Sequence, residues 1–130
     1  MVHYHQLCYF LQGDLLRRLI EGASEVLTTP NALTETSNLI AHIADPARSE
    51  IRETLQRLTL NVQEAYVPSA IAARRAEFVR LGLADAAMLE LAGEKRVVLT
   101  ADFELYQAVL AGGDEAINFN HLRNEGVQPT

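Results

Sequence analysis

The stretch from Leu81 to Leu110, LGLADAAMLELAGEKRVVLTADFELYQAVL, constrains the chain more than any other. Val97, Val98 and Leu99 form an apolar run too short for a helix, boxed by Glu94, Lys95 and Arg96 before it and by Thr100, Ala101 and Asp102 after it. A β-branched run of this length between two helical patterns predicts a buried strand. Ligands of open α/β sheets collect just past the C-terminal ends of strands, and Asp102 stands at such a position. Asp85 opens the preceding helix, whose neighbouring residues Leu83, Ala84, Ala86, Ala87 and Met88 are apolar. A carboxylate there is expected to be nearly buried, and carboxylates are rarely buried without a partner or a cation.

The rest of the chain reads in the same alternation. Leu7, Leu11, Leu15 and Leu19 recur at four-residue steps, predicting an amphipathic helix over residues 4–22 with Arg17, Arg18 and Glu21 outward and Gly22 as a left-handed cap. Residues 25–28 form a short strand pattern. Thr29-Pro30 then reads as an N-cap followed by proline at the first helical position. That helix is expected to run to about Ala44, burying Leu33, Thr36, Ile40 and Ile43, with Leu39 alongside and Glu35 at the flank of the stripe. Asp45-Pro46 repeats the start signal for a helix with Ile51, Leu55, Leu58 and Val62 inward. Ala65-Tyr66-Val67 is another strand candidate, after which Ser69 caps a brief helix to about Glu77. Beyond the helix carrying Phe103, Tyr106 and Leu110, Gly112-Gly113 breaks the chain and Glu115–Asn118 gives a last strand. Strands alternating with helices predict an α/β domain with a parallel sheet. The polar residues 124–130 are expected to be a frayed tail.

A length of 130 residues fits one domain with a sizeable core. The single cysteine, Cys8, excludes an internal disulfide and fits a cytoplasmic protein. No apolar run approaches the ~20 residues that cross a bilayer, and the N-terminal residues do not read as a signal peptide. The formal net charge is −6, with Lys95 the sole lysine among 11 basic residues. The bulk field therefore opposes nucleic acid, and contact with it would need a local arginine patch.

Glu35, Asp85 and Asp102 each lie near a helix start. One use for such an acid is to complement the helix dipole and cap free N–H groups, for ~0.3–1 kcal/mol. Another is to converge on a hard cation, since three gathered carboxylates repel one another unless a charge neutralises them. Oxygen ligands without His or Cys favour Mg²⁺ or Mn²⁺. Thr100, two residues before Asp102, either orients a metal-bound water or satisfies a local backbone group. The four histidines do not have zinc spacing, and no glycine-rich phosphate loop or GxSxG elbow occurs.

Three segments, TTPNALTETSNLI (28–40), LGLADAAMLELA (81–92) and VVLTADFELYQAVL followed by EAINFNHL, together resemble the PIN domain family, small α/β metal-dependent ribonucleases that include many toxins of bacterial toxin–antitoxin pairs. The resemblance runs in order from about Leu15 to Leu122. It implies a single PIN-like domain over residues 1–123, a three-layer fold with a parallel sheet of about four short strands flanked by helices. It further implies that Glu35, Asp85 and Asp102 are metal ligands and catalytic residues for hydrolysis of an RNA phosphodiester, with Mg²⁺ or Mn²⁺ as cofactor and Thr100 assisting. Arg17, Arg18 and Arg96, with Arg74, Arg75 and Arg80, would contact phosphates. An antitoxin protein is the implied partner.

One feature of the family pattern is missing. Family members begin with an apolar strand that ends in an aspartate and lies at the centre of the sheet, between the strands matching 25–28 and 96–100 here. No such strand precedes the first helix, and Asp14 falls inside that helix. The expectation is therefore a fold truncated relative to its ancestor, with impaired catalysis and with homodimerisation covering exposed strand edges. The alternative is a non-catalytic interaction module on a degenerate PIN scaffold. A phosphoacceptor domain using Asp102 fits less well, because no lysine stands near a strand end.

Overall fold

The computed structural model describes Arg18, residues 21–93 and residues 96–121. The expected first helix falls almost wholly outside this range, as do Arg17, Cys8 and the tail. Gly22 is helical and its φ is not positive, so it is not the left-handed cap that its position suggested.

Four short strands and six helices are described, and all strand pairing is parallel. Strand β1 (Leu27–Thr28) leads into α1 (Pro30–Ile40), α2 (Ala47–Asn61) and β2 (Gln63–Glu64). Then come α3 (Ser69–Ala73), α4 (Phe78–Leu81), α5 (Leu83–Leu91), β3 (Val97–Thr100), α6 (Phe103–Ala111) and β4 (Glu115–Asn118). β1 pairs with β2, Leu27 opposite Gln63, and β3 pairs with β4, Val97 opposite Glu115. Parallel neighbours need a crossover, usually helical; α6 supplies it between β3 and β4, and the α1–α2 pair supplies it between β1 and β2. The chain is thus α/β, but among the described residues its strands form two separate pairs and not one four-stranded sheet.

The starts of the helices follow their sequence signals. Thr29 Oγ1 accepts the Ala32 N–H at 3.0 Å, with Pro30 at the first helical position, as Thr29-Pro30 predicts. α1 buries Ala32, Thr36 and Ile40, whereas Leu39 is exposed. Thr36 is tolerated there because its hydroxyl donates to the Ala32 carbonyl at 2.8 Å. At the start of α2, Asp45 Oδ1 accepts from the Ser49 hydroxyl at 2.6 Å and from the Ser49 N–H at 3.1 Å. β2 lies two residues earlier than the Ala65-Tyr66-Val67 pattern implies, and Ser69 makes no capping bond.

Among the described residues, three hydrophobic clusters share the interior. Ala32, Met88, Leu89, Val98, Leu105 and Val109 unite α1, α5, β3 and α6. Ile40 and Ile51 close the α1–α2 hairpin, with Ile43, Leu55 and Leu58 against them. Ala72, Ala86 and Ala87 bind α3 to α5, with Phe78 and Leu83 packed on them. No helix among the described residues is long and apolar enough to cross a membrane.

Two outcomes follow. Leu105 is fully buried in the largest cluster, so Leu105→Ala should cost ~2–5 kcal/mol in urea unfolding; a loss within error of zero would mean the site collapses freely. The Ser49 hydroxyl first, and then the Arg48 guanidinium, hold the Asp45 carboxyl below its ordinary value of 3.8. A depressed carboxyl stabilises the fold above its unfolded pKa, and this is lost as pH falls through the folded one. Wild type and Asp45→Ala should therefore differ in melting midpoint at about pH 7 and converge near about pH 2.

Candidate functional site

Helix α1 positions Glu35 nearly two turns beyond the Thr29 cap, on the side turned toward α5. There Asn31, Thr34, Glu35 and Asn38 of α1 face Leu83 and Ala84 of α5 across a groove of about 370 Å³, with Pro30 at one end. Glu35 is half-buried, Thr34 and Asn38 are exposed. The next residue of α5, Asp85, is 7 % exposed and sits in that helix's first turn. The expectation of a nearly buried acid opening an apolar helix therefore holds, and the location lets the helix dipole favour its charge.

Asp102 lies at the C-terminal end of β3 and is the N-cap of α6. Its Oδ1 accepts the N–H groups of Glu104 at 2.9 Å and Leu105 at 3.2 Å. Thr100 is fully buried, and its Oγ1 accepts the Asp102 N–H at 3.0 Å. Of the two roles open to Thr100, this geometry realises the local backbone bond. The strand-end hydroxyl and acid together shape the corner between β3 and α6.

Two residues at the matching end of β4 were not singled out in the sequence. Asn118 is buried and its Oδ1 accepts the Asn120 N–H at 2.9 Å. Asn120 in turn donates through Nδ2 to the Ala101 carbonyl at 3.2 Å, tying the end of β4 to the end of β3. The signal was present in INFN (117–120), where two carboxamides follow an apolar strand at a spacing that supports an Asx turn.

Glu35 and the first turn of α5 meet at the groove, while Asp102 and Thr100 form the β3–α6 corner and do not line it. Among the described residues no group of three or more His, Cys, Asp or Glu side chains is gathered so as to hold a metal ion. Glu35, Asp85 and Asp102 as arranged do not fit the Mg²⁺ or Mn²⁺ centre that the resemblance implies.

Arg18, Arg74, Arg80 and Arg96 are exposed, and Arg96 reaches the Leu91 carbonyl at 3.4 Å. Arg75 pairs with Glu90 at 3.1 Å and Glu77 at 3.4 Å, which commits its charge to joining α3 and α5. Arg17 lies outside the described residues.

In comparisons with known families and with curated proteins, nothing matches the chain.

The Asp102 cap can be separated from any other role of this side chain by two substitutions. Asp102→Ala should lower stability by ~0.5–2 kcal/mol, while Asp102→Asn, whose carbonyl oxygen also caps, should lower it by less. Urea titration of the two variants measures this. Equal losses would show that the negative charge, and not the acceptor geometry, is what α6 needs.

Proposed function

We propose that the chain is a PIN-like domain that acts as a non-catalytic interaction module, with its groove between α1 and α5 as the binding surface. One observation carries this reading. The groove is bordered by a carboxylate, two carboxamides and a hydroxyl on one helix and by apolar residues of another, and its surface is more apolar than polar, a lining suited to a partner with an apolar body and a few polar groups. The strand-end residues Thr100 and Asp102 meanwhile bond backbone N–H groups of the β3–α6 corner.

The PIN-like ancestry draws support from the order of elements. Glu35 lies in the helix after β1, Asp85 opens the helix before β3, and Asp102 follows β3. β1 and β3, the strands that would flank the central strand of that family, stand in separate pairs. A second reading, an Mg²⁺- or Mn²⁺-dependent ribonuclease, is favoured by one specific feature: Glu35 and the turn holding Asp85 border the same groove.

Incubation with single-stranded RNA and Mg²⁺ or Mn²⁺ separates the two. The interaction module should give the same negligible cleavage for wild type, Asp85→Asn and Asp102→Asn, and no shift of the thermal melt with either ion. A metal site filled at about 100 Kd would instead add ~2.7 kcal/mol. Metal-dependent cleavage by the wild type that both substitutions abolish would overturn the module in favour of the nuclease.

A further inference from the structure

Exposed apolar side chains scattered singly need no explanation, but on α6 they share one face. Phe103, Tyr106 and Leu110 stand at i, i+3 and i+7, and a turn of about 100° per residue gathers them into one stripe. Leu105 and Val109, which enter the core, lie on a different side of the helix. Phe103 is 54 % exposed and Leu110 45 %, while Tyr106 is half-buried. The Phe103 and Tyr106 rings are 6.4 Å apart, and His121 meets Tyr106 edge-on at 5.6 Å. Rings at such separations attract one another, so the stripe is one continuous aromatic and aliphatic surface. α6 therefore carries a second apolar face, about two turns long, in contact with solvent.

Charge decides what can cover that face. From Val97 to His121 the chain contains Asp102, Glu104, Asp114 and Glu115 and no lysine or arginine. Glu104, in the first turn of α6, is exposed on the solvent side of the stripe and forms no ion pair among the described residues. A second copy would bring these acids against their own kind, and the phosphates of nucleic acid or of an anionic membrane would be repelled in the same way. A partner of positive sign meets no such barrier. Apolar anchors spaced i, i+3 and i+7 are also the pattern by which one helix receives another, because rows at this spacing interdigitate when two helices pack.

We infer that the outward face of α6 docks an amphipathic helix of a partner protein, with Phe103, Tyr106 and Leu110 against its apolar stripe and Glu104 against basic residues that flank the stripe. No residue lining the groove between α1 and α5 belongs to α6, so the two surfaces stand or fall separately.

Amide correlation spectra of the whole ¹⁵N-labelled chain, titrated with an amidated peptide of three Lys-Leu-Ala-Lys-Leu-Leu-Ala repeats, test the inference. The backbone signals of Phe103, Glu104, Tyr106, Gln107 and Leu110 should shift, and those of Asn31 and Asn38 in the groove should stay in place. Exchanging every lysine of the peptide for glutamate should weaken binding at least about ten-fold, since like charges then meet across the contact. Exchanging every leucine for serine should abolish it. Phe103→Ala should weaken binding about ten-fold, the scale of an aromatic anchor, and Leu110→Ala and Glu104→Gln several-fold each. All three positions are exposed, and the same spectra report whether each variant keeps its fold. Equal affinity for the lysine and glutamate peptides, retained binding of the serine peptide, or shifts confined to another surface would overturn the inference. So would α6 signals that move with protein concentration in the absence of peptide, because the face would then join two copies of this chain.

Discussion

Burial of α5 on all its sides is the constraint from which the rest of the structure follows. Five consecutive residues, Asp85 to Leu89, are buried, and five consecutive helical positions cover every direction around the axis. The helix must therefore be surrounded, and α1, α3, α4 and α6 pack against it. Small side chains make this possible: Ala86 and Ala87 meet Ala72 of α3 at close range, while Met88 and Leu89 reach the cluster that includes Val98 and Leu105. One helix thereby joins two hydrophobic clusters. Its first turn also carries the one buried carboxylate among the described residues, at the end where free N–H groups make a negative charge least costly.

The buried polar residues obey a second rule, set by the parallel strands. A parallel strand usually passes into a helix, so its C-terminal end is also a place where helical N–H groups need acceptors. Thr29 after β1, Thr100 and Asp102 around the end of β3, and Asn118 at the end of β4 all sit at such points, and each accepts a nearby backbone N–H. These are the residue types that a metal-dependent hydrolase also places at strand ends. Capping and ligation thus draw on one vocabulary, and only the positions of the side chains tell them apart. Asp102 illustrates this: its place after Leu99-Thr100 fits either use, and its contacts with Glu104 and Leu105 are those of a cap.

Local signals were legible in the sequence to the extent that the physics behind them is local. Thr29-Pro30 marks a helix start because both the cap and the proline act within one turn, and Glu115–Asn118 forms the strand read from its pattern and the glycines before it. β2 lies before the Ala65-Tyr66-Val67 pattern because its pairing is set by backbone bonds to a distant strand. Gln63 and Ala65 donate to the carbonyls of Val26 and Thr28, so exposed Gln63 and Glu64 enter the ladder. The β-prone Tyr66 does not; it is 75 % exposed and its hydroxyl bonds Glu64. Leu39, which the periodicity puts beside the α1 stripe, is exposed, because the α1–α2 hairpin is closed by Ile40 and Ile51. Asp85 and Asp102 lie at helix starts as expected, whereas Glu35 falls beyond the first turn of α1. Whether they converge depends on how α1, α5 and α6 cross, which no local pattern contains.

The placement of the groove follows from the same packing. Its two walls are α1 and α5, and each is anchored by apolar contacts of residues that do not line the groove: Ala32 of α1 lies in the cluster with Met88 and Leu89, and Ala86 and Ala87 of α5 pack with Ala72. Side chains at positions 31, 35 and 38 are thus displayed from a helix whose opposite face is fixed. A binding surface held on rigid elements keeps its polar groups in register, so less ordering entropy is lost when a partner arrives. A single acid suits this better than a cluster would. Several acids in one groove would repel one another and raise a pKa unless a cation stayed bound.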